Sequence, residues 1–128
     1  MPCLVEVECA IRQLQARYGD AVWRKDADAF AACFAPGAVW RIAGTELAGV
    51  EAIRAGFVAF MDILDRTLMT FRTPIVTIAA DGAVSARTYV TEQNKYLDGT
   101  AVSTIGIYYE RFACLDGDWR FAWRHWQM

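Results

Sequence analysis

"VSARTYVTEQNKYLDGTAVSTIGIYYERFACLDGDWRFAWRHW", residues 84–126, decides the fold. It carries two Asp-Gly pairs, Asp98-Gly99 and Asp116-Gly117, and a third, Asp81-Gly82, stands just upstream. Each pair lies between runs rich in Val, Ile, Thr, Tyr, Phe and Trp. Asp-Gly suits the positive-φ positions of tight turns, while β-branched and aromatic side chains fit a pleated, half-buried surface. The pattern therefore predicts a meander of hairpins, with strands over 84–96, 102–113 and 119–126. One more strand is expected over 67–79. Pro74 inside it cannot donate to a ladder, which points to an edge or a bulge.

Upstream the period changes. Leu4, Val7, Ile11, Leu14, Tyr18 and Val22 recur at spacings of three and four, one apolar stripe of a helix over 4–24. "KDADAFAACF" (25–34) restarts a short helix, with Asp26 or Asp28 as N-cap and Phe30 and Phe34 facing inward. "APG" (35–37) is expected to end it in a turn, and "AVWRIA" (38–43) to form a short strand. "GVEAIRAGFVAFMDILD" (49–65) returns to helix, with Ile53, Phe57, Phe60 and Leu64 on one stripe. The order is α-α-β-α-β-β-β-β: an α+β fold in one domain, residues 1–128, with an antiparallel sheet.

Composition limits what such a domain does. At 55% hydrophobic and 13% aromatic residues, disorder is excluded and a thick apolar interior is expected. So high an aromatic content also suits the lining of a cavity. The net charge of −2 and the scattered basic residues argue against nucleic-acid binding. No run of about 18 apolar residues is available to span a membrane, and acids stand where a signal peptide would need bases. A cytoplasmic location is expected. Cys3, Cys9, Cys33 and Cys114 have no Cys-x-x-Cys spacing and only one histidine in the chain to join them, so no metal site is expected.

Five segments carry a family resemblance: "RYGDAVWRKDADAFAACFAPGAVW" (17–40), "LAGVEAIRAGF" (47–57), "ARTYVTEQNKYLDG" (86–99), "GIYYERF" (106–112) and "DGDWRFAWR" (116–124). In this order they resemble the nuclear-transport-factor-2-like superfamily, in particular its SnoaL-like branch. That branch also includes enzymes resembling scytalone dehydratase, ketosteroid isomerase and limonene-epoxide hydrolase. The resemblance implies a cone, in which a strongly curved sheet wraps the helices and encloses a pocket. It implies a homodimer packed through the outer sheet face, and proton-transfer chemistry on small apolar molecules without metal or organic cofactor.

The chain departs from the branch at two titratable positions. Enzymes of the branch often place an acid five residues after the tyrosine matching Tyr18, and a histidine early in the first long strand. Here Trp23 holds the first position, and Met69 or Phe71 the second. Arg124 matches an arginine that some members use to hold a substrate oxygen. It could equally pair with Glu92 or Glu110 on a neighbouring strand. Glu92, among Ala86, Thr88 and Val90 on one strand face, is the candidate base, its pKa open to being raised by burial. Tyr18 is the candidate hydrogen-bond donor. Regular alternation puts His125 with Trp119, Phe121 and Trp123, and Arg124 with Arg120, Ala122 and Trp126 on the other face. His125 is therefore read as a packing residue. Trp23, Trp40, Phe57, Met61, Met69, Phe71, Thr88 and Val90 are the expected pocket lining.

These readings support a cofactor-independent lyase, isomerase or cyclase acting on a hydrophobic, oxygen-bearing small molecule. The missing Asp–His pair supports the other reading, a non-catalytic dimeric ligand-binding or accessory domain.

Overall fold

The computed structural model describes residues 2–128. Its elements are α1 (Leu4–Arg24), α2 (Ala27–Ala31), β1 (Phe34–Ile42), β2 (Thr45–Ala48), α3 (Val50–Met61), β3 (Leu64–Phe71), β4 (Ile75–Ile78), β5 (Val84–Tyr96), β6 (Ala101–Leu115) and β7 (Asp118–Gln127). The sheet runs β2-β1-β7-β6-β5-β3, with β4 also paired to β5. It is large, curved and unclosed, and the helices pack inside its curve. The three Asp-Gly turns stand where the turn chemistry puts them, with Gly82, Gly99 and Gly117 all at positive φ.

Of the predicted stripe α1 buries Val7, Ile11, Leu14, Tyr18 and Val22, and Gln15 with them, while Leu4 in its first turn is exposed. Lys25 ends the helix in the left-handed region, its N–H donating to the carbonyls of Ala21 and Val22. Asp26 then caps α2, its carboxylate accepting from the Ala29 N–H at 3.0 Å. Asp28 instead pairs with Arg54 at 2.9 Å.

Several expectations are corrected. Pro36 and Gly37 do not end the second helix in a turn; they lie inside β1, where the register against β7 slips between Phe34 and Val39. Proline's missing donor is tolerated at such an irregularity. β2 was not anticipated. It closes a hairpin on β1 through Ala43 (φ 52°) and Gly44 (φ 75°), the paired positive-φ geometry of a two-residue turn. α3 stops at Met61, and Leu64, four residues after Phe60 and so in helical phase with it, opens β3 instead. The strand expected over 67–79 is two pieces, broken at residues 72–74 around Pro74 and both paired to β5. The sheet is mixed, because β1 runs parallel to β7.

One irregularity bears on the site. On β7 the register against β6 slips, so that Phe121 pairs with Phe112 while Trp123 pairs with Arg111. Ala122 is the extra residue of a β-bulge, and beyond it the alternation changes phase. Phe121 consequently shares the inner face with Arg124 and Trp126, all three buried. Regular alternation had separated Phe121 from Arg124.

Candidate active site

The inner face of the sheet and the helices enclose a cavity of about 310 Å³. That is at the small end of the ~300–1,000 Å³ range of ligand sites. One side is apolar: Val22 from α1, Phe30 from α2, Trp40 and Ile42 from β1, and Phe57, Phe60 and Met61 from α3. The sheet side carries Thr67 and Met69 from β3, Glu92 and Asn94 from β5, Thr104 and Tyr108 from β6, and Trp126 from β7. Tyr18 adds its phenol from α1.

Behind Tyr18 and Tyr108 lies a buried charged network. Arg124 Nε donates to Glu110 Oε2 at 2.9 Å, both side chains without solvent exposure. The other carboxylate oxygen accepts from Gln15 Nε2 at 3.0 Å and Thr88 Oγ1 at 2.9 Å, and Gln15 Nε2 also reaches Thr88 Oγ1 at 2.9 Å. The two terminal guanidinium nitrogens have no hydrogen-bond partner. Aromatic rings surround them instead: the guanidinium carbon is 3.6 Å from the Tyr108 ring centroid, 4.1 Å from Tyr18 and 4.3 Å from Phe121. A desolvated guanidinium against aromatic faces is worth about 2 kcal/mol or more per favourable contact. Burial alone would lower the Arg124 pKa. Tyr18, Glu110 and Tyr108 outweigh that and hold it above its ordinary value, so the cation persists.

The ionisable groups on the cavity are tuned differently. Burial raises the Glu92 pKa above the usual carboxylate range, with Asn94 hydrogen bonding and the Arg124 charge pulling partly back. Burial likewise raises Tyr18, reinforced by Tyr108, against the pull of Arg124. Burial raises Tyr108 too, again opposed by Arg124. Both phenols therefore keep their protons and act as donors, not bases. Trp40 Nε1 donates to the Tyr108 hydroxyl oxygen at 3.3 Å, and Tyr108 keeps its own hydrogen to donate.

Of the residues singled out in the sequence, Glu92, Tyr18, Trp40, Phe57, Met61 and Met69 line the cavity. Arg124 does not. It lies behind the two phenols, bound to Glu110 and not to Glu92. Trp23 is outside, 44% exposed, with Arg66 above its ring, because the end of α1 turns that side chain to the surface. Phe71 packs edge-on against Tyr18 instead of lining the cavity. Thr88 is engaged by Glu110 and Gln15, and Val90 is in the core. His125 lies half-buried on the outer face, edge-on to Trp123. Tyr108, Asn94, Thr67 and Trp126 were missed. A usable signal existed for Tyr108: it is two residues from Glu110 on β6, so the two share a face.

A family model for the SnoaL-like domain matches residues 4–125. The chain belongs to that family. Among solved structures, Aln2 from a Streptomyces species is 28% identical with a TM-score of 0.84, over 99% of this chain and 93% of that one. At lower identity the likeness is one of fold. A hexachlorocyclohexane dehydrochlorinase (LinA, type 2) is 16% identical with a TM-score of 0.85, covering 97% of this chain and 86% of that one. ActVI-ORFA from Streptomyces coelicolor is 15% identical with a TM-score of 0.83, covering 95% and 96%. No curated protein sequence matches. Among the described residues, no helix of this SnoaL-like protein is long and apolar enough to cross a membrane. No group of three or more His, Cys, Asp or Glu there could hold a metal ion.

Proposed function

We propose that this SnoaL-like protein is a cofactor-independent proton-transfer enzyme, a lyase, isomerase or cyclase, acting on a neutral, largely apolar small molecule with a carbonyl group. One observation carries the reading: a mostly apolar cavity in which a carboxylate of raised pKa shares the walls with two protonated phenols. A base whose pKa approaches the working pH is the more effective proton acceptor. Glu92 removes the proton beside the carbonyl. Tyr108 and Tyr18 donate to the oxygen as negative charge develops on it. Arg124 touches no substrate; its fixed positive charge behind the rings favours an oxyanion in front of them. The family resemblance implied direct contact with substrate instead. A hexachlorocyclohexane dehydrochlorinase among the structural neighbours is compatible with such chemistry.

The test is loss of the α-hydrogen NMR signal of neutral bicyclic ketones in D₂O. Exchange above background with the native protein, abolished in Glu92→Gln, supports the reading. Exchange equal in both removes Glu92 from the mechanism.

A second reading is ligand binding without turnover, which Met69 in place of a titratable side chain on the cavity wall favours. Saturable binding of the same ketones with no exchange would select it. In either reading we propose a cytoplasmic homodimer paired through the outer sheet face, which exposes Tyr89 and Ile105. Sedimentation as a monomer would refute the pairing.

A further inference from the structure

We infer that Thr67 and Asn94 form a positioning pair that holds Glu92 ready as a base. The inference rests on the reading of Glu92 given above. It begins with an amide whose two ends are not equivalent. Thr67 Oγ1 donates to Asn94 Oδ1 at 2.7 Å across the β3–β5 ladder, where the two residues are direct partners. Thr67 is buried and Asn94 half-buried, so this contact is partly shielded from competing water. With the amide oxygen held on the β3 side, the NH₂ group is turned away from Thr67 and into the cavity.

Glu92 is the residue it faces. It precedes Asn94 by two positions on β5, hence on the same sheet face, and both line the cavity. An NH₂ group there stabilises the carboxylate over the carboxylic acid, in keeping with the way Asn94 opposes the effect of burial on Glu92. Were the amide reversed, its oxygen would face the carboxylate and repel it. Thr67 thus steadies Asn94 from the β3 side, and Asn94 favours the charged form of Glu92.

The other groups around Glu92 do not perform this task. Tyr18 from α1 and Tyr108 from β6 disfavour a nearby negative charge when ionised and otherwise stay neutral. Arg124 from β7 acts from behind the phenols, its near contact being Glu110. Asp65, on β3, is paired with Lys95 at 3.7 Å. Met69, directly opposite Glu92 on β3, and the α3 side chains on the cavity carry no titratable group.

The experiment is a carboxyl ¹³C NMR titration of Glu92, assigned by loss of its signal in Glu92→Gln, in the native protein, Asn94→Leu and Thr67→Val. Both substitutions keep the number and branching of side-chain heavy atoms, and Thr67→Val keeps a β-branched residue in its strand. We expect Asn94→Leu to give about tenfold tighter proton binding at Glu92, the size of one hydrogen bond to a charged group. Thr67→Val shifts it the same way by less, since the amide is then free to turn. A role in packing alone would change stability and leave the Glu92 midpoint in place. A midpoint unmoved in either folded variant overturns the pair. The result does not depend on turnover: if the midpoints move but Glu92→Gln exchanges ketone hydrogens as fast as the native protein, the pair stands and the base assignment falls.

Discussion

Replacing Glu110 by Gln should destabilise this protein more than almost any other single-atom change. The carboxylate accepts three hydrogen bonds, from Arg124, Gln15 and Thr88, and is fully buried. In Glu110→Gln one oxygen becomes an NH₂ group. Whichever way the amide turns, that group meets a donor, either Arg124 Nε or the Gln15 and Thr88 side. The buried guanidinium also loses its counter-charge. Breaking a buried pair by removing one partner costs about 3–5 kcal/mol, against total stabilities of about 5–15 kcal/mol for natural proteins. Arg124→Met should cost a similar amount, because it strands the carboxylate. The double variant strands no charge. It should cost clearly less than the sum of the two singles, by at least about 2 kcal/mol, within the range of couplings between residues in contact. Urea unfolding followed by tryptophan fluorescence measures all four proteins, provided the slopes agree. A Glu110→Gln cost below about 1 kcal/mol, or additivity within about 0.5 kcal/mol, would refute this account of the network.

Three further outcomes follow. Exchange by the native protein should fall as pH drops through the Glu92 midpoint, since protonation removes the base; that midpoint lies above the ordinary carboxylate range, and a pH–rate profile reads it directly. Tyr108→Phe, which removes the donor fixed by Trp40, should slow exchange about 10²–10³-fold with ligand affinity changed far less, as a comparison of kcat with KM would show. Gly106→Ala should destabilise by about 1–3 kcal/mol and weaken ligand binding in calorimetry. A β-carbon there would come within 2.5 Å of the Gln127 carbonyl oxygen and 2.6 Å of the Trp126 ring, which lines the cavity.

What could be read from the sequence was what local chemistry determines. The Asp-Gly turns, the stripe of α1 and the Asp26 cap depend on a few neighbouring residues, and each leaves a pattern. β2 left none, being four residues long with no buried side chain among them. The parallel pairing of β1 with β7 joins segments some eighty residues apart and has no local signature. The Ala122 bulge is likewise invisible until β6 lies alongside, yet it sets which β7 side chains face inward. The same reasoning separates the site residues. Glu92 stood out as a carboxylate in an apolar strand. The choice between Glu92 and Glu110 as partner of Arg124 needed the strand register, in which Glu110 faces Arg124 directly. Tyr108 could have been paired with Glu110 by strand alternation, but only the fold shows its hydroxyl at a cavity with Trp40 behind it.

The most direct measurement is a crystal structure with β-naphthol, a stable mimic of the enol of a bicyclic ketone. The naphthol should lie in the cavity, its oxygen about 2.6–3.2 Å from the Tyr108 hydroxyl and its ring carbon beside the Glu92 carboxylate. A naphthol oriented with its hydroxyl on Glu92 and away from both phenols, or bound only outside the cavity, would contradict it.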